Sequence, residues 1–139
     1  MSPYTGIISL HVIIAVLGIG LCGAIPIVAR QARLAAPAQT DLLESLFRYT
    51  RWSLVAIALT GGLLDFAAGG GFHSSGWFRA SVALLLFAGF AWARGRAALR
   101  KGLATGADAD AALRRVRRWG LTMCMTVALI TALMEAKPF

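Results

Sequence analysis

Five ionisable side chains, His11, Asp65, His73, Arg79 and Glu135, stand inside or at the edges of long apolar stretches. Charge is expensive in hydrocarbon, so an ionisable group at membrane depth is a functional candidate by default. A neutral imidazole is a good axial ligand for haem iron, and His11 is the best placed for that role. His73, in a glycine-rich stretch, is the other histidine that could complete a bis-histidine site. Arg79 offers a planar fork for a haem propionate, or for pairing with Asp65 or Glu135. Those two carboxylates are candidates to tune proton uptake. Plainer roles compete with each of these. His11 can hydrogen-bond across helices, His73 can be solvated in a loop, and Arg79 can act as an ion-pair partner alone. Met123, Cys124 and Met125 are soft ligands of the kind copper takes. Adjacent helical residues point to different faces, however, which favours packing there.

The elements that must position these side chains follow from composition. Of 139 residues, 58% are hydrophobic and 14% charged, which is outside the usual range of a water-soluble domain. A spanning helix needs roughly 20 mainly apolar residues, since about 30 Å of hydrocarbon is crossed at about 1.5 Å per residue. The segments 7–29, 52–68, 77–93 and 119–136 meet that need, each with at most one formal charge near an end. They lack strict alternation and run too long without turn residues to be barrel strands. The expected fold is an all-α integral membrane domain covering 1–139, an antiparallel four-helix bundle joined by short connections.

The formal net charge of +8 suggests nucleic acid until its location is considered. Arg30, Arg33, Arg48 and Arg51 flank the first connection, and Arg94, Arg96, Arg100, Lys101, Arg114, Arg115, Arg117 and Arg118 flank the third. Basic connections stay cytoplasmic, so both termini and the loop 69–76 are expected outside. The arginines then serve topology and attraction to lipid headgroups, with no nucleic-acid partner. The expected setting is a bacterial-type inner membrane, crossed several times. The first apolar segment lacks preceding basic residues, so it is read as a retained span, not a signal peptide. This orientation puts His11, Asp65, His73, Arg79 and Glu135 at one outer depth, where a single cluster drawn from four helices can form.

Local signals mark the helix ends. Pro26 is expected to interrupt the first helix near its inner end. Thr40 or Asp41 is expected to cap the second, with Glu44 completing a capping box, and the run Gly69-Gly70-Gly71 to end it. Ser74 or Ser75 is expected to cap the third, which starts at Gly76 or Trp77 and is broken over Gly102 to Gly106. Asp108 or Asp110 is expected to cap the fourth. Gly18, Gly20, Gly23, Ala24, Gly61 and Gly89 are candidates for close helix contact. Trp52, Trp77 and Trp119 stand where apolar spans begin, as interfacial anchors do. Cys22 and Cys124 fall mid-span and belong to no metal-ligand spacing, so they are read as small buried residues.

Leu10-His11, Pro26, the stretch Leu43 to Arg51 leading to Thr60-Gly61, Gly76-Trp77 and the terminal Lys137-Pro138-Phe139 together resemble the HemJ-type membrane protoporphyrinogen oxidases. The same plan is similar to the CopD-type copper-resistance membrane proteins. The resemblance covers nearly the whole chain through short motifs. It implies haem b with His11 as ligand, and redox work on a porphyrinogen or a quinone. Two positions depart from the oxidases. Arg79 stands where they carry a lysine, and an arginine does not give up its proton; Trp119-Gly120 stands where they carry Asn-Glu. Both bear on porphyrin oxidation more than on haem binding. The expected function is therefore a haem-b electron-transfer protein or oxidoreductase. The competing expectations are an accessory transmembrane subunit of a larger respiratory, photosynthetic or transport complex or of a homo-oligomer, and copper handling through His11, Met123 or Cys124.

Overall fold

The computed structural model describes residues 3–34, 36–106 and 108–136. Among them are four long helices and no strand: α1 (Pro3–Gln31), α2 (Pro37–Ala67), α3 (Gly76–Thr105) and α4 (Ala109–Ala136). Each helix packs on two others in the ring order α1, α2, α3, α4. The α3–α4 contact is the most extensive and the α2–α3 contact the thinnest.

The helices are longer than the apolar stretches that define them. At about 1.5 Å per residue, the 31 residues of α2 reach about 46 Å, well beyond a hydrocarbon layer of about 30 Å. Residues 4–31 and the helices α3 and α4 are long and apolar enough to span a membrane, with mean hydropathies of 2.7, 1.4 and 1.5 in their best windows. The second helix falls short of that level, in contrast to the expectation of four such segments. Arg51 and Asp65 bracket its apolar run and leave only residues 52–64 free of formal charge.

Buried positions recur every three or four residues. On α2 they are Thr40, Leu43, Phe47, Thr50, Leu54 and Ile57; on α4 they include Leu113, Val116, Gly120, Met123, Val127 and Ile130. This alternating spacing of three and four residues is the pattern of a helix that buries one continuous seam against its neighbours. Away from the seam the surface stays oily, with Leu59 70% and Leu86 72% exposed. Such an apolar exterior suits lipid and would be a liability in water.

Close approach is made by glycine where the seam is tightest. A Cβ at Gly18 would lie 2.5 Å from Ser53 Oγ, one at Gly95 would lie 3.1 Å from the Phe47 ring, and one at Gly102 would lie 2.5 Å from Ala112 Cβ. Of the expected contact glycines, Gly18, Gly23 and Gly61 lie against neighbouring helices, whereas a Cβ at Gly20 or Gly89 would meet nothing within 4 Å. Gly95 and Gly102 escaped the sequence reading because they stand among basic residues beyond the apolar spans, and Gly120 because it stands at the very edge of one.

The helix ends differ in detail from expectation. α1 continues through Pro26 to Gln31, and the proline ring lies against Gly120, 3.1 Å from where a Cβ would be. α2 starts at Pro37, with no side-chain cap at Ala36; the fixed φ of proline suits the first helical position, where no N–H is needed. Thr40 instead bonds back to the Pro37 carbonyl at 2.7 Å. α3 runs through Gly102 and ends at Gly106, whose φ of 59° is left-handed. Ser75 sits at the N-cap without capping through its side chain; its hydroxyl donates to the Phe72 carbonyl at 2.6 Å. Asp108 accepts from Ala111 N–H at 3.4 Å at the start of α4.

Candidate functional site

His11 is 7% exposed and occupies the first buried position along α1. It meets α2 where Gly61 leaves room: a Cβ at Gly61 would stand 3.5 Å from His11 Cε1. On the same turn Thr60 Oγ1 lies 2.6 Å from His11 Nδ1 and 2.7 Å from the Ala56 carbonyl oxygen. A hydroxyl has one proton, and the carbonyl can only accept it. The arrangement that satisfies both contacts has Thr60 donating to Ala56 and accepting from His11 Nδ1–H. That tautomer leaves the Nε2 lone pair available. A hydrogen-bonded partner on one ring nitrogen is the device that orients a ligating histidine for work at the other.

His11 lines a cavity of about 310 Å³. Ile8, Val12, Val16 and Ile19 of α1 form one wall, and Thr131, Met134 and Glu135 of α4 another; Leu64, Phe72, Trp77 and Phe78 complete the lining. Val12 and Val16 are also exposed on the outer surface of α1, so the cavity opens sideways, toward where acyl chains would lie. Its volume is at the small end of the range for ligand sites, and its lining is mainly apolar with a few polar groups, as such sites commonly are.

The five ionisable candidates divide into two groups. His11 and Glu135 share the cavity. Asp65, His73 and Arg79 knit the connection between α2 and α3. Asp65 Oδ1 accepts from the N–H groups of Phe72 at 2.8 Å and His73 at 3.1 Å, and its Oδ2 lies 3.5 Å from His73 Nδ1. Arg79 Nε donates to the His73 carbonyl at 3.0 Å. Gly69 and Gly70, with φ of 69° and 75°, let the chain turn sharply enough for Asp65 to reach these donors. The two groups meet at Phe72, whose backbone is held by Asp65 and whose ring packs at a tilt against Trp77, centroids 5.6 Å apart, on the cavity wall.

The structure brings only some of the expected haem contacts together: His11 stands on the cavity wall among aromatic and aliphatic side chains. A bis-histidine site does not fit: His73 is exposed, engaged with Asp65 and absent from the cavity wall. No Lys or Arg lines that wall, Arg79 included, so the propionate clamp expected of Arg79 has no support. For copper, no group of three or more His, Cys, Asp or Glu residues is placed to hold a metal among the described residues. Met123 is fully buried and Met125 is 69% exposed, on opposite faces of α4. Lys137, Pro138 and Phe139 lie outside the described residues.

Sequence reasoning missed the link between Thr60 and His11. The available signal was the need of a buried imidazole for a hydrogen-bond partner, together with the shortage of hydroxyl groups at its depth. It also missed Trp92, whose indole donates to the Phe47 carbonyl at 2.7 Å and ties α3 to α2. The chain matches no family model, no curated protein and no solved structure.

Proposed function

We propose that this chain is a small multi-pass membrane protein that binds a lipid-soluble redox ligand in the groove between α1 and α4, with His11 as its polar contact. The arrangement we favour is an antiparallel bundle crossing a bacterial-type inner membrane, with the termini outside. It is supported by the gathering of both basic connections at one end. Leu34 of the first stands 3.0 Å from where a Cβ of Gly102 would lie, and Arg30 shares a cavity with Arg114 and Arg117. Basic connections at a common face are what the positive-inside rule asks for.

Haem b held by one axial histidine is the leading ligand. The observation that carries it is His11 on the wall of an apolar cavity with its Nδ1 engaged by Thr60, which leaves Nε2 for a ligand. Bound there, the haem would supply one-electron transfer. His11 would orient it, Thr60 would hold the imidazole in the ligating tautomer, and Trp77, Phe78 and Phe72 would shield it from water. The test is a visible absorption spectrum of the purified protein before and after addition of haemin. A Soret band abolished by His11→Ala is expected; a fully helical preparation that takes up no haem refutes it.

A quinone is the second reading, favoured by Glu135 lining the same cavity as His11 and by the lack of a cation there. A neutral ring with two carbonyls asks for a donor and a proton source, not for a counter-charge; His11 would be that donor in its other tautomer, with Nε2–H toward the ring and Thr60 donating to Nδ1, and Glu135 would be the proton source. Quenching of tryptophan fluorescence by a short-chain quinone, lost in His11→Ala and weakened in Glu135→Gln, is the expected result. Quenching unchanged in both variants removes this reading.

A further inference from the structure

A second cavity, of about 280 Å³, opens between α2 and α3 at the basic end of the bundle. Arg48 and Arg51 project into it from α2, and Arg96 and Arg100 from α3. Spacings of three and four residues keep each pair on one helix face. Like charges so gathered repel unless an anion lies among them. Asp41 and Glu44 also line the cavity, yet neither forms an ion pair with these arginines. Among the described residues the one pair within ion-pair distance is His73 with Asp65. Topology alone explains basic residues at this end, but not a cavity that four of them share.

The charges are layered by depth. A Cβ at Gly95 would lie 3.1 Å from the Phe47 ring, and the Trp92 indole reaches the Phe47 carbonyl at 2.7 Å, which sets the register of α2 against α3. With these two helices running in opposite directions, Arg96 is level with Arg48 and nearer the apolar run, while Arg100 is level with Asp41 and Glu44. The deep tier thus carries Arg48, Arg51 and Arg96 and no carboxylate. The shallow tier carries Asp41, Glu44 and Arg100. The deep tier lies where apolar surface begins: the Arg51 guanidinium sits 4.9 Å from the Trp52 ring centre and that of Arg96 5.6 Å from the Trp92 ring centre. Tryptophan and arginine at that depth mark the level of lipid phosphates.

We propose that this cavity binds the headgroup of an ethanolamine phospholipid, its phosphate among Arg48, Arg51 and Arg96 and its ammonium toward Asp41 and Glu44. The order of charge along the cavity, positive near the hydrocarbon and negative toward water, is the complement of that headgroup. A guanidinium fork matches phosphate oxygens in pairs. The α2–α3 contact, the thinnest in the bundle, leaves acyl chains a place along that side.

The protein is purified in mild neutral detergent, and lipid retention is read by native mass spectrometry after equilibration with mixed phosphatidylethanolamine and phosphatidylglycerol. One ethanolamine lipid should be retained in preference to the glycerol lipid. Arg48→Gln with Arg96→Gln should weaken retention about thirtyfold, from about fivefold for each basic side chain near a membrane surface. Arg115→Gln with Arg118→Gln, which removes equal charge outside this cavity, should leave it unchanged. Asp41→Asn with Glu44→Gln should abolish the preference between the two lipids while lipid is still held. Should the double arginine variant lose its helical circular dichroism, Arg96→Gln alone replaces it, with about fivefold expected. Preference for the glycerol lipid, displacement by millimolar inorganic phosphate, or equal loss in both double arginine variants overturns the proposal.

Discussion

Thr60→Val isolates the contact on which the His11 site depends. Valine keeps the branched shape and removes the hydroxyl, so the imidazole loses its partner without losing its room beside Gly61. Hydrogen bonds between membrane helices average about 0.6 kcal/mol and reach about 1.7 kcal/mol. At 2.6 Å and with His11 buried, this one belongs in the upper part of that range, about 1.5 kcal/mol. A double-mutant cycle with His11→Ala, read as helical circular dichroism during titration of detergent micelles with a denaturing detergent, should therefore show coupling of about 1 to 1.5 kcal/mol. The same variant should weaken a ligand held at Nε2 by 10- to 100-fold, as loss of a partner behind a ligating histidine commonly does. If the two substitutions add within about 0.3 kcal/mol, the residues do not interact and the assigned tautomer has no basis. If coupling is found but ligand affinity is unchanged, His11 is a packing residue and the ligand lies elsewhere.

Three further outcomes follow from the same packing. Gly102→Ala sets a Cβ 2.5 Å from Ala112 Cβ, with no rotatable bond to relieve it, and should destabilise the protein by about 1–3 kcal/mol. Gly89→Ala meets nothing within 4 Å and should be neutral or stabilising by up to about 1 kcal/mol; equal stability of the two variants in the same titration would refute the packing of α3 on α4. Trp92→Phe keeps an aromatic ring but drops the 2.7 Å bond to the Phe47 carbonyl, and should cost about 1 kcal/mol in that assay. In a background free of Cys22 and Cys124, Ser74→Cys should react with a membrane-impermeant thiol reagent in intact cells and Thr105→Cys only after lysis; the reverse pattern would invert the topology.

Three of the four apolar runs were legible because hydrocarbon thickness fixes their length, and so were some helix ends: Gly76 opens α3 and Gly69-Gly70 follow α2 as expected. Which face of each helix turns inward was not legible. Leu59 is as apolar as Leu54, yet only Leu54 is buried. When every face is greasy, hydropathy carries no phase. Small residues hold that information, and Gly95 and Gly102 hold it among arginines, where a search for spans does not look. The grouping of the ionisable residues was half legible. Depth alone put Asp65 and His11 at one level, but the hydrogen bonds of Asp65 to the chain after Gly69-Gly70 turn it toward the loop and away from the cavity.

The charges that bracket α2 also bear on how the protein is made. Residues 52–64 extend about 20 Å as helix, less than the hydrocarbon is thick. A segment this marginal partitions weakly from the translocon by itself, whereas the stretch 4–31 that is synthesised before it does so strongly. In the four-span arrangement proposed above, the nascent chain has to deliver α2 into a lipid phase where α1 already waits, and to keep it there by pairing. Biogenesis is thus coupled to helix association, and a substitution that weakens the α1–α2 seam should reduce the yield of inserted protein before it changes any property of the finished one.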